Sequence, residues 1–86
     1  MPALDACELT LVEWLDSRQS DGGWRFVRSF EAVAPVKCVT VGWVVHDDGE
    51  TLVLAQSFGD IGDEDMQVAG LKTIPCRSVT RRVAIE

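Results

Sequence analysis

The chain has 86 residues and a mass of 9.5 kDa, enough for a single domain spanning 1–86 with one modest core. Hydrophobic residues make up 47%, too many for a disordered chain, while 14 acidic residues against 8 Lys and Arg leave a net charge of −6. This size excludes an enzyme with its own cofactor domain, and no run approaches the roughly 18 apolar residues of a membrane span. The acid balance argues against a general nucleic-acid binder, which needs clustered Lys and Arg.

The opening Met1-Pro2-Ala3-Leu4-Asp5 has neither a basic stretch nor a long apolar one, which predicts a cytoplasmic protein. Cys7, Cys38 and Cys76 are an odd set without CxxC spacing, so they read as reduced thiols, two of them core fillers inside apolar runs. Residues 9–16 (LTLVEWLD) predict a strand with Thr10, Val12 and Trp14 on one face and Leu9, Leu11 and Leu15 on the other. A helix is the rival reading, because Leu11, Trp14 and Leu15 also fit a 3.6 period. Residues 16–23 (DSRQSDGG) read as a loop. Residues 24–33, with Trp24, Phe26, Val27 and Phe30, read as a short strand or one to two helical turns ending before Pro35.

Residues 36–46 (VKCVTVGWVVH) are rich in Val and poor in helix formers, and predict a strand with Val39, Val41, Trp43 and Val45 on one face. Gly42 in its middle predicts a bend or a close backbone approach. Asp48-Gly49 then supplies a hairpin turn, and residues 51–57 (TLVLAQS) the return strand. An acidic loop (GDIGDED, 59–65) follows, then a fourth strand at 70–74 closed by Pro75. A fifth strand lies at 79–85, with Val79, Val83 and Ile85 alternating inward. The expectation is an all-β fold: a five-stranded SH3-like small barrel, with an irregular or short helical excursion between strands one and two. A 3₁₀-like turn after Pro75 would carry the chain from one side of the barrel to the other, and closure would remove the sheet edges. An Sm-like barrel is the neighbouring possibility.

Four tracts carry a resemblance: Val12-Glu13-Trp14-Leu15-Asp16-Ser17, Gly23-Trp24, Val41-Gly42-Trp43-Val44-Val45 and Ile74-Pro75. Together they are similar to a group of short proteins encoded in bacteriophage and prophage genomes. Thr40 stands where that group commonly has Ser, and the acidic 60–65 loop is no part of its pattern. The resemblance implies a phage-related origin and an SH3-like fold, and it supplies no catalytic residue.

No enzymatic activity is expected. His46 beside Asp47 and Asp48 lacks a nucleophile signature and reads as a solvated turn histidine. Asp60, Asp63, Glu64 and Asp65 do not follow the calcium-loop pattern, so no metal or other cofactor is expected. Between Cys38 and Leu71 there are seven acids and no Lys or Arg. Asp47, Asp48, Glu50, Asp60, Asp63, Glu64 and Asp65 are therefore the candidate contact residues for a protein with a basic surface, and Trp24 is the candidate exposed anchor. The concrete expectation is an inhibitor of a host nucleic-acid defence complex, in the manner of an anti-CRISPR protein. Two other readings stand beside it. One is a small barrel binding single-stranded nucleic acid through Lys72, Arg77, Arg81 and Arg82. The other is a virion assembly component.

Overall fold

The structure, a computed structural model, describes residues 7–86; residues 1–5, read above for targeting features, lie outside them. The chain forms seven strands: β1 (Leu9–Asp16), β2 (Val36–Asp47), β3 (Thr51–Ala55), β4 (Ser57–Gly59), β5 (Gln67–Ala69), β6 (Lys72–Pro75) and β7 (Val79–Ala84). Five of them make one antiparallel sheet in the order β6-β3-β2-β1-β7, and β4 pairs with β5 in a separate two-stranded ribbon. The all-β expectation holds, and β1 has the bounds and faces read from the sequence. The helical rival for β1 is overturned by its continuous pairing with β2, from Leu9↔Trp43 to Asp16↔Val36.

The inner face of the sheet is built by alternation. Val12 and Trp14 of β1, Leu52 and Leu54 of β3 and Ile74 of β6 form the buried core. Cys38 and Val44 of β2, with Cys76 and Val79, are partly buried against it. Buried polar groups are satisfied: the Trp14 indole N–H donates to Thr40 Oγ1 at 3.0 Å, and the Thr10 hydroxyl donates to Glu8 Oε1 at 3.0 Å. Gly42 makes the close approach its position suggested. A Cβ there would stand 2.9 Å from the Ala55 carbonyl oxygen and 3.1 Å from Leu54 Cβ, so only glycine lets β2 and β3 meet at this point.

The sheet curls, and polar groups span its hollow. Lys72 on β6 places its Nζ 4.8 Å from the centre of the Trp14 ring on β1. Arg82 on β7 meets Asp47, at the end of β2, at 2.7 Å. A 3₁₀ turn (Cys76–Ser78) joins the two edge strands, as the Ile74-Pro75 break implied. Closure itself is not formed. No backbone pairing links β6 to β7 among the described residues, so the sheet stays open. β6 has only four residues and ends in Pro75, which has no N–H to give to a further strand.

Three expectations need correction. The fourth strand begins at Lys72, not at residue 70, because Gly70 adopts φ +68 and turns the chain before it. The return strand stops at Ala55, and its last residue as read, Ser57, opens the β4–β5 ribbon. Val79, Val83 and Ile85 do not all point inward. Trp14 pairs with Val79 but Glu13 with Arg81, so Thr80 is an extra residue in β7 and its hydroxyl bonds the Glu13 carbonyl at 3.1 Å. That bulge shifts the alternation by one place, leaving Val79 against the core and Val83 on the outer face beside Leu11.

Residues 17–35 form neither strand nor extended helix, and every one of them is exposed. The segment leaves the sheet at the Asp16↔Val36 pair, where the Arg18 Nε–H donates to the Ala34 carbonyl at 2.9 Å. Inside it, one turn is closed by the Ser29 and Phe30 N–H groups bonding the Phe26 carbonyl. The described chain is correspondingly long, 58 × 23 × 20 Å, with a radius of gyration of 17.3 Å. A compact domain of this length has a radius of gyration of about 12 Å.

Candidate interaction surfaces

The carboxylates singled out in the sequence fall into two groups at opposite ends of β3. Asp47, Asp48 and Glu50 precede it, while Asp60, Asp63, Glu64 and Asp65 follow it at the tip of the β4–β5 ribbon. The structure therefore does not gather them into one continuous cluster.

The first group is largely committed to holding its own turn. Asp48 Oδ1 accepts the N–H groups of Glu50 and Thr51 at 2.9 and 2.7 Å, and its Oδ2 lies 3.2 Å from His46 Nε2. Asp47 accepts from Arg82 and from the Gly49 N–H. Gly49 takes φ +86, a left-handed conformation that glycine adopts without a Cβ clash, in the three-residue connection from Asp47 to Thr51. The backbone N–H groups of Thr51 and Glu50, with His46 behind them, hold the Asp48 carboxyl down to about 2. The Arg82 guanidinium and the Gly49 N–H likewise lower that of Asp47. His46 is exposed and orients this turn. A shallow depression beside the turn, lined by Gly49, Glu50, Thr51, Pro75, Cys76 and Arg77, is open to solvent.

The second group presents its charge outward. Asp60, Asp63, Glu64 and Asp65 are all exposed, and none is within ion-pair distance of a Lys or Arg. The tip is nonetheless shaped. The Asp63 and Met66 N–H groups bond the carbonyls of Asp60 and Asp63, the Asp65 N–H bonds Asp63 Oδ1 at 3.1 Å, and Gln67 donates to Asp60 Oδ2. Asp60 takes φ +54 and Gly62 φ +88, two left-handed residues that fold the tip back on itself. Among the described residues, no group of three or more His, Cys, Asp or Glu side chains is placed to hold a metal ion.

Trp24 lies apart from the Asp47–Glu50 turn. The 17–35 arm departs from the Val36 end of β2 and the turn from the Asp47 end, eleven residues away, a span of roughly 36 Å in an extended strand. Trp24 is 100% exposed, and it shares the arm with Phe26, Val27, Phe30 and Val33, all exposed.

The outer face of the sheet is also apolar, which the sequence reading did not single out. Leu11 sits between Val41 and Val83 on one side of the sheet; the next row toward the arm is Glu13 between Val39 and Arg81, and Leu15 follows opposite Lys37. Val39 is 62% and Val41 46% exposed. Further along the same face, Trp43 is covered edge-on by Phe58 of β4, their ring centres 5.6 Å apart. The signal was present in β2: Cys38, Thr40, Gly42 and Val44 fill the inner positions, so its larger apolar residues must take the outer ones.

The basic strip expected on the last strands is partly consumed internally. Lys72 lies over Trp14, Arg81 is 3.4 Å from Glu13, and Arg82 holds Asp47. No helix among the described residues is long and apolar enough to cross a membrane. No family model, no curated protein and no solved structure matches this chain.

Proposed function

We propose that this chain is a non-enzymatic protein-binding module, an SH3-like small barrel of phage-related origin that presents carboxylates to a basic surface on its partner. In its concrete form it inhibits a host nucleic-acid defence complex in the cytoplasm, occupying a basic groove that nucleic acid would otherwise fill. The SH3-like reading is supported by the strand order β6-β3-β2-β1-β7, the long excursion between β1 and β2, and the 3₁₀ turn between the edge strands.

The observation that carries the functional reading is the ribbon tip. Four carboxylates project there with no Lys or Arg in ion-pair distance, on a backbone held in shape by its own hydrogen bonds. Such a charge cluster steers a basic partner and speeds encounter. Asp47 and Asp48 serve the turn first, which leaves Glu50 as the freer carboxylate at that end. The engagement of Arg81 and Arg82 by Glu13 and Asp47 favours a protein partner over single-stranded nucleic acid on β7.

The test is capture from a nuclease-treated bacterial lysate by the tagged chain, beside its Asp63→Lys/Asp65→Lys variant. A partner retained after nuclease treatment and lost with the variant, at unchanged thermal unfolding, is the expected result. Equal capture by the variant removes the ribbon tip from the mechanism. A partner lost on nuclease treatment moves the reading to nucleic acid.

A further inference from the structure

Among the described residues two apolar surfaces stand exposed to solvent. One is the 17–35 arm, whose Trp24 and Phe26 are 100% and 81% exposed. The other is the arm-proximal part of the outer sheet face, where Leu15, Val39 and Val41 stand in the open. The arm's root is the Asp16↔Val36 pair, so this face begins one to three residues from where the arm leaves the sheet. At its far end the face is already covered by an aromatic side chain, Phe58 on Trp43. At the arm end no aromatic ring of the described residues covers it, and the Glu13–Arg81 ion pair lies beside Val39.

We propose that a second copy of this chain supplies the cover: two copies associate about a two-fold axis near the arm roots, each laying its arm across the other's outer sheet face. Such an exchange is isologous and closes after two subunits. The area is sufficient. Trp24, Phe26 and Phe30 offer on the order of 500 Å² per arm. Two arms and the two faces they cover therefore reach the roughly 1,200–2,000 Å² of a stable interface.

Charge does not oppose the arrangement. The arm carries Arg18, Arg25 and Arg28 against Asp21 and Glu31, a balance of +1, and seven of the chain's acids lie in the β2–β3 turn and the ribbon tip, away from this face. The long shape of the single chain, 58 Å in its greatest extent, is that of a subunit whose arm lies off its own body. The acidic ribbon tip takes no part in this contact and stays available to a different partner.

The test is sedimentation equilibrium of the full chain, alone and as two variants. Trp24→Ser/Phe26→Ser removes the arm's anchors. Val39→Lys charges the face at an exposed position directly opposite Glu13, where a lysine is tolerated by the strand pair. The wild-type chain is expected to sediment as a dimer, and each variant alone as a monomer with at least tenfold weaker association and unchanged circular dichroism. An equimolar mixture of the two variants is expected to recover part of the dimer, because the intact arm of one meets the intact face of the other. A monomeric wild type at 100 µM overturns the proposal. So does a dimer that survives the arm substitutions, or a mixture that stays monomeric while both variants are folded.

Discussion

Asp48 stands at the head of the β2–β3 turn, accepting the N–H groups of Glu50 and Thr51 on one oxygen and facing His46 with the other. All three contacts favour the charged carboxylate, so it titrates at about 2 in place of its ordinary 3.8. A depressed pKa in the folded state means that the unfolded chain takes up the proton first. The stabilisation is therefore complete above the unfolded value of 3.8 and is lost as pH falls through about 2. Asp47, held by Arg82 and the Gly49 N–H, acts in the same direction. Replacing Asp48 by Ala is expected to lower stability in urea at pH 7, with the gap to wild type shrinking between pH 4 and pH 2. A gap of constant size across that range would show that the turn does not depend on this charge. At this scale the sequence was informative about type more than role. Asp47 and Asp48 read as surface acids, and only the pairing of β7 beside β1 reveals that Asp47 has a guanidinium to hold.

Among the elements, legibility followed length and burial. β1, β2 and β3 were readable because each carries enough alternating apolar residues to fix a face, and because Asp48-Gly49 marks the turn between the last two. β4 and β5 were not, since three-residue strands reading Ser-Phe-Gly and Gln-Val-Ala around an acidic tip have too little period to register. β7 was found but its faces were misread, because Thr80 interrupts the alternation and no residue type announces a bulge. That misreading is directly testable. A strict alternation makes Val79 and Val83 equivalent, whereas the bulge puts only Val79 against Trp14 and the core. Val79→Ala is expected to cost about 1 kcal/mol and Val83→Ala close to nothing. Both are measured by urea unfolding in the Trp24→Ser/Phe26→Ser background, where no second copy covers the outer face. Equal losses at the two positions would remove the bulge from the account.

Across the whole molecule, a small curled sheet holds the fold, while its two appendages carry the exposed aromatic residues and the acidic tip. The 17–35 arm was the least legible segment because Trp24, Phe26, Val27 and Phe30 look like the makings of a buried element, and nothing in their spacing says that the core is already filled by β1, β3 and β6. If the core is complete without them, the arm is dispensable for folding. Joining Asp16 to Val36 through a two-residue Asn-Gly turn keeps their antiparallel pair in register and removes the 19 residues between them. Shortening the loop this far lowers the entropy cost of closing it by roughly 2 kcal/mol. The arm's own contacts are local, namely the Arg25–Asp21 ion pair, one helical turn and the Arg18–Ala34 bond, so little is lost in exchange. The shortened chain is expected to be monomeric and at least as resistant to urea as the monomeric Trp24→Ser/Phe26→Ser variant. A chain that fails to fold, or that melts below that variant, would mean that the arm lies on its own body, and the two uncovered surfaces would then be covering each other within one chain.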